Sequence, residues 1–165
     1  LGGLMAQNLQ TALYTPEQRK KRDTSRWTLV QGILAPVQFV ICIVSAALVL
    51  RFLMTGEGYM AATISVLIKT LALYAIMVTG AIWEKEVFGQ YLLAPAFFWE
   101  DVVSFGVIAL HTLYLVALFM GFMTPDQLMI LALVAYAAYF VNAAQFIWKL
   151  RMARLSAAPQ QEVSA

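Results

Sequence analysis

The sequence predicts an all-α, polytopic membrane protein: a bundle of four transmembrane helices with both termini on the cytoplasmic side. Three observations predict it. Of the 165 residues, 62% are hydrophobic and 12% charged, against about 45–50% and about 25% in an ordinary soluble domain, and the mean hydropathy is +0.76. The apolar residues gather in four runs, each close to the roughly 20 residues that a bilayer requires of a helix. Basic residues flank the first and last runs while the first and third connections carry almost no net charge, an asymmetry that marks the cytoplasmic face.

Residues 1–26 read as a polar, basic cytoplasmic segment. Thr15-Pro16-Glu17 is a helix start, and Arg19, Lys20, Lys21, Arg22 and Arg26 crowd together just before the first apolar run. The span after a polar leader is too long for the core of a cleavable signal. The four-helix domain covers residues 27–150, with spans from Trp27 to Leu50, Ala61 to Trp83, Phe98 to Phe122 and Gln127 to Trp148. Gly56-Glu57-Gly58 and Thr124-Pro125-Asp126 belong to outer connections; the middle connection is cytoplasmic. Lys149, Arg151 and Arg154 follow the last span on the inner side. Residues 151–165, rich in Ala, Gln and Ser, read as a flexible cytoplasmic tail.

Composition also excludes functions. The net charge is +2 and no basic face could track phosphates, so nucleic acid is not a partner. Cys42 is the sole cysteine, which rules out an internal disulfide, a redox pair or a cysteine-rich metal site. The halves share no polar pattern, which argues against an inverted-repeat carrier.

Ionisable groups within a bilayer cost about 2.5–3.5 kcal/mol each on insertion scales, so their positions carry information. The densest stretch runs from Trp83-Glu84-Lys85-Glu86 through Pro95-Ala96-Phe97-Phe98-Trp99-Glu100-Asp101 at the cytoplasmic mouth of the second and third spans. At about 100° per residue Ser104 and His111 share a helix face with Glu100, and His111 lies about 16 Å deeper. Gln31, Gln38 and Ser45 form a stripe on the first span, and Asn142 and Gln145 lie one turn apart on the fourth; such residues are more often glue between membrane helices than chemistry. Lys69 is expected to extend its ammonium to the outer interface. The outer half otherwise looks almost purely apolar, so the pattern predicts a pocket open to the cytoplasm for a flat, greasy ligand with a few polar points.

The residues also resemble a family. Arg26-Trp27-Thr28-Leu29-Val30-Gln31-Gly32, Thr55-Gly56-Glu57-Gly58-Tyr59, Met77-Val78-Thr79-Gly80-Ala81-Ile82-Trp83-Glu84-Lys85, Val87-Phe88-Gly89-Gln90-Tyr91 and Ala94-Pro95-Ala96-Phe97-Phe98-Trp99-Glu100-Asp101 look like the vinyl bacteriochlorophyllide hydratases of photosynthetic bacteria, over roughly residues 16–155. That resemblance implies a hydro-lyase in the bacterial inner membrane. It would add water to the 3-vinyl group of chlorophyllide a or a 3-vinyl bacteriochlorophyllide, leaving a 1-hydroxyethyl group. It implies no cofactor, the only metal being the magnesium of the chlorin, and leaves room for a homo-oligomer or contacts with other pigment-biosynthesis enzymes.

The resemblance carries no catalytic residues with it, so chemistry assigns them. Protonating the terminal vinyl carbon leaves a cation spread over the macrocycle, and a carboxyl group withdrawn from water keeps a proton for that purpose. Glu100 is the expected acid, with Asp101 or Glu84 orienting and deprotonating water. His111 is either axial ligand to the substrate magnesium or a proton relay. Trp83, Phe97, Phe98 and Trp99 are expected to stack on the macrocycle, with Ser104, Gln38 and Asn142 as polar contacts. The rival readings are a noncatalytic chlorin-binding protein and a small transporter.

Overall fold

The computed structural model describes residues 13–163, with side chains described as far as Leu155. It is built of helices throughout. α1 (Pro16–Thr24) is a short basic helix closed by a reciprocal cap, in which Thr15 Oγ1 accepts from the Gln18 N–H and Gln18 Oε1 accepts from the Thr15 N–H. Ser25 then turns extended, ends α1 and caps α2 (Arg26–Thr55) through a bond from the Trp27 N–H. α3 spans Tyr59–Phe88, a 3₁₀ turn spans Pro95–Phe97, α4 spans Phe98–Met120 and α5 spans Pro125–Val163.

Four of these helical stretches are long and apolar enough to cross a membrane, by length and composition: Arg26–Thr55, Tyr59–Phe88, Pro95–Met120 and Pro125–Leu155. The first, second and fourth run past the ends of their sequence-based spans, while the third stops at Met120, two residues short of Phe122, because capping residues rather than the end of the apolar run stop a helix. α2 pairs with α3 and α4 with α5, and the two hairpins join chiefly along α2–α5 and α3–α4. Their outer faces keep Leu29, Ile33, Val37, Val40 and Val44 exposed in register along α2, the stripe a helix offers to lipid. The core gathers Cys42, Val49, Val66, Leu73, Val107, Tyr114, Met129 and Tyr136. α5 runs on to Val163 where a loose tail is expected from composition; Ala, Gln and Glu in that stretch are strong helix formers.

The half of the bundle away from the carboxyl-rich α3–α4 connection is less apolar than the sequence suggests. Lys69 does not reach the interface: it is wholly buried, with Nζ 3.8 Å from the centre of the Tyr139 ring. Ten residues separate it from Tyr59 at the outer end of α3, about 15 Å of helix. That is more than a lysine side chain can cover, so the ammonium turns inward onto aromatic rings. Beside it Ser45 bridges Ser65 at 2.7 Å and Tyr136 at 2.5 Å.

Candidate active site

The site forms where the α3–α4 connection folds back over its own helix ends. α3 stops because Gly89 takes φ +85°, a left-handed conformation that costs an L side chain about 1–2 kcal/mol. Its N–H bonds the Lys85 carbonyl. Leu93 adopts φ 59° without being glycine, a strained position of the kind that collects at functional sites. Its strain has a visible return: the Leu93 N–H donates to Asp101 Oδ2 at 2.9 Å, and the next N–H, that of Ala94, reaches Glu84 Oε2 at 3.4 Å. Two successive backbone donors thus cradle two carboxyl groups, one from the end of α3 and one from the start of α4.

Glu84 and Asp101 are 5% and 3% exposed, and the adjacent N–H groups that they accept from bring their carboxyl groups side by side. Two neighbouring carboxyl groups withdrawn from water repel each other when both are ionised, which favours a proton held by the pair. Glu100, equally buried, has a different partner: its Oε2 lies 2.8 Å from Lys149 Nζ, and the same ammonium donates to the Ala96 carbonyl. Glu100 is therefore engaged as a carboxylate in an ion pair that ties α4 to α5.

Ser104 and Asn142 lock the same junction. Asn142 Nδ2 donates to the Glu100 carbonyl at 2.9 Å, while Ser104 Oγ lies 2.9 Å from Asn142 Oδ1 and 2.8 Å from the Glu100 carbonyl, one hydrogen serving two acceptors. These two residues position Glu100 and the first turn of α4.

Aromatic side chains wall the cluster. Phe97 is buried and packs edge-on against Trp83 and Phe88, with Phe146 stacked on it at 5.6 Å; Tyr14 stacks on Phe88 from the other side. Trp83 is held in place by its indole N–H, which donates to Thr28 Oγ1 at 2.8 Å. Phe98 and Trp99 do not join this wall. They are 40% and 68% exposed on the outward face of α4, because the 3₁₀ turn rotates Phe97 inward and leaves its two successors pointing to the bilayer.

The remaining candidates lie deeper. His111 is buried, its Nδ1 2.8 Å from the Val107 carbonyl. A carbonyl only accepts, so Nδ1 carries the hydrogen and Nε2 presents a lone pair, which meets no partner. Gln38 is also buried, close to Tyr139 and away from the carboxyl cluster. The structure thus brings Glu84, Glu100, Asp101, Ser104, Asn142, Trp83 and Phe97 together and separates His111 and Gln38 from them.

Sequence reasoning missed Lys149, Phe88, Phe146 and the backbone of Leu93 and Ala94. Lys149 had a signal: it follows Asn142 by seven residues, about 20° from it around the helix, so both face the same neighbour. No signal marked the two backbone donors, since the left-handed turn is written in no residue type.

Against this geometry stand the similarities. The family model described as 2-vinyl bacteriochlorophyllide hydratase matches residues 14–152. The chain is 70% identical over 150 residues, 90% of its length and 86% of the relative's, to the 2-vinyl bacteriochlorophyllide hydratase of Rhodobacter capsulatus. The chain belongs to the 2-vinyl bacteriochlorophyllide hydratase family. The hydratase of Cereibacter sphaeroides is likewise 70% identical over 144 residues, 87% of this chain and 89% of that one. No solved structure matches. The family match begins at Tyr14 and ends just past Lys149, so every side chain of the carboxyl cluster and its aromatic wall lies within the hydratase family's common stretch.

Proposed function

We propose that this protein hydrates the 3-vinyl group of chlorophyllide a or a 3-vinyl bacteriochlorophyllide, giving the 1-hydroxyethyl product, with the Glu84–Asp101 pair as its proton source and sink. The observation that carries the mechanism is that two buried carboxyl groups from different helices accept from successive backbone N–H groups, reinforced by the 70% identity to hydratases.

The shared proton passes to the terminal vinyl carbon, and the π electrons of the vinyl group form the new C–H bond. The positive charge then sits on the carbon attached to the ring and spreads into the macrocycle. The pair, now carrying one proton fewer, accepts a hydrogen bond from water, and the water oxygen attacks the cationic carbon. The second proton of that step returns from the water to the pair. The sum is one water added and the pair restored, so one proton does both jobs. The acid role expected for Glu100 moves to this pair, because Glu100 is engaged with Lys149; it acts as a positioning residue, holding α5 against the mouth.

The aromatic wall of Trp83, Phe88, Phe97 and Phe146 suits a flat macrocycle and keeps bulk water from the cation. His111 is read as the axial ligand of the chlorin magnesium. Its Nε2 lone pair is free, while a proton relay needs both ring nitrogens and Nδ1 is taken up by Val107. The reaction needs no resident cofactor. The clusters of cations at both ends of the four-helix domain support a bacterial inner membrane with both termini in the cytoplasm.

The test is to incubate membranes holding the full chain with chlorophyllide a. A product heavier by one water, with its red absorption shifted to the blue by loss of a conjugated double bond, is expected. Pigment retained without any such product would contradict the reading and favour a carrier.

A further inference from the structure

Two nitrogens stand unpartnered in the middle of the bundle, and both are fully enclosed: Lys69 Nζ and His111 Nε2, in residues 0% and 1% exposed. Both flank Tyr136, whose ring centre is 5.9 Å from Lys69 Nζ and 5.9 Å from the centre of the His111 ring. The ammonium has the Tyr139 face at 3.8 Å and the Tyr136 ring at 5.9 Å, but no carboxylate, carbonyl or hydroxyl accepts from it. Cation–π contact offsets only part of what an ammonium loses on leaving water. Elsewhere among the described residues, the buried polar groups of Glu84, Glu100, Asp101, Ser104 and Asn142 are all satisfied. The chain satisfies its buried charges at the mouth and leaves one cation open at the centre.

We infer that Lys69 is the anchor for the free carboxylate of the chlorin substrate, and so the residue by which the site tells the free acid from its ester. This rests on the hydration reading above. A chlorophyllide is the acid whose ester tail has not been attached, so it brings one carboxylate into a site that offers one unpaired ammonium. The spacing agrees. Lys69 lies fifteen residues from Glu84 along α3, and its ammonium ends over Tyr139 on α5. Tyr139 precedes Asn142 by three residues, and Asn142 bonds Ser104, which follows Asp101 by three. Two such steps of helix place Tyr139 about 9 Å deeper along the bundle than Asp101, a depth that one macrocycle spans. One ligand then accounts for both open nitrogens, the carboxylate on Lys69 and the magnesium on His111.

The inference separates two pigments that differ only in the carboxylate. The full chain in nanodiscs is given chlorophyllide a and its methyl ester, and kcat/KM for hydration is measured for each. The wild type is expected to favour the acid by at least tenfold, mainly through KM. Lys69→Met should bring the acid-to-ester ratio close to one, and Lys69→Arg, which keeps the charge, should restore most of it. A wild type that treats the two alike overturns the inference and needs no variant to do so. A Lys69→Met protein that keeps the wild-type ratio overturns it as well. If the wild type hydrates neither pigment, the hydration reading fails separately, and the same comparison is made on affinity by absorbance titration: acid preferred over ester supports the anchor, equal affinity refutes it.

Discussion

Among single residues, burial and partner choice divide the acids into two kinds. Glu84 and Asp101 share the Leu93–Ala94 turn, whereas Glu100 holds Lys149. Glu100→Gln is accordingly expected to lower kcat by about tenfold through a loosened mouth, far short of the roughly 10²–10⁴-fold that a missing acid or base costs; steady-state kinetics on chlorophyllide measures the difference. Lys149→Met should destabilise more than Glu100→Gln, since it strands a buried carboxylate while the amide variant removes charge from the buried side, and thermal unfolding in detergent would rank the two. His111→Ala should weaken pigment affinity at least fivefold by absorbance titration, with the fold intact, if Nε2 ligates magnesium. The sequence marked the acids as a group because charges at a membrane boundary next to Phe97 and Trp83 are conspicuous. Which acid pairs with which was not legible: it depends on Lys149, some fifty residues away, and on a left-handed Leu93.

At the level of elements, the turn between α3 and α4 decides the site. Gly89 ends α3 at φ +85°, the 3₁₀ turn aims Phe97 inward, and the N–H groups of Leu93 and Ala94 meet the two carboxyls. Gly89→Ala forces a Cβ into a left-handed position and should cost about 1–2 kcal/mol, read as a lower melting temperature, together with reduced turnover as the cradle shifts. The four spans were legible to within a few residues because their apolar length is set by the bilayer. Lys69 was misjudged for a related reason: sequence distance to the interface was counted, but the side chain's reach and the aromatic faces of Tyr136 and Tyr139 settle its direction. Phe98 and Trp99 fall outside the buried aromatic wall because helical phase fails across a 3₁₀ turn.

On the scale of the whole molecule, buried ionisable groups are treated unevenly: the carboxyl groups at the mouth have partners, whereas Lys69 Nζ and His111 Nε2 at the centre have none. That arrangement suits a protein that receives a flat ligand edge-on, the vinyl edge at the α3–α4 junction and the far edge over Lys69. In the proposed orientation the cations of α1 and of the end of α5 face the cytoplasm. A single cysteine replacing Glu57, in a Cys42→Ser background, should react with an impermeant thiol reagent from outside the cell, and a reporter fused after Ala165 should be active only inside. The reverse pattern would invert the bundle and move the mouth to the other leaflet.

The most direct test of the carboxyl pair is single-turnover hydration by Glu84→Gln and Asp101→Asn, measured beside pigment affinity in the same preparations. The account predicts that each substitution slows hydration at least a hundredfold while the dissociation constant for chlorophyllide changes less than about threefold. Hydration at the wild-type rate in either variant would contradict it.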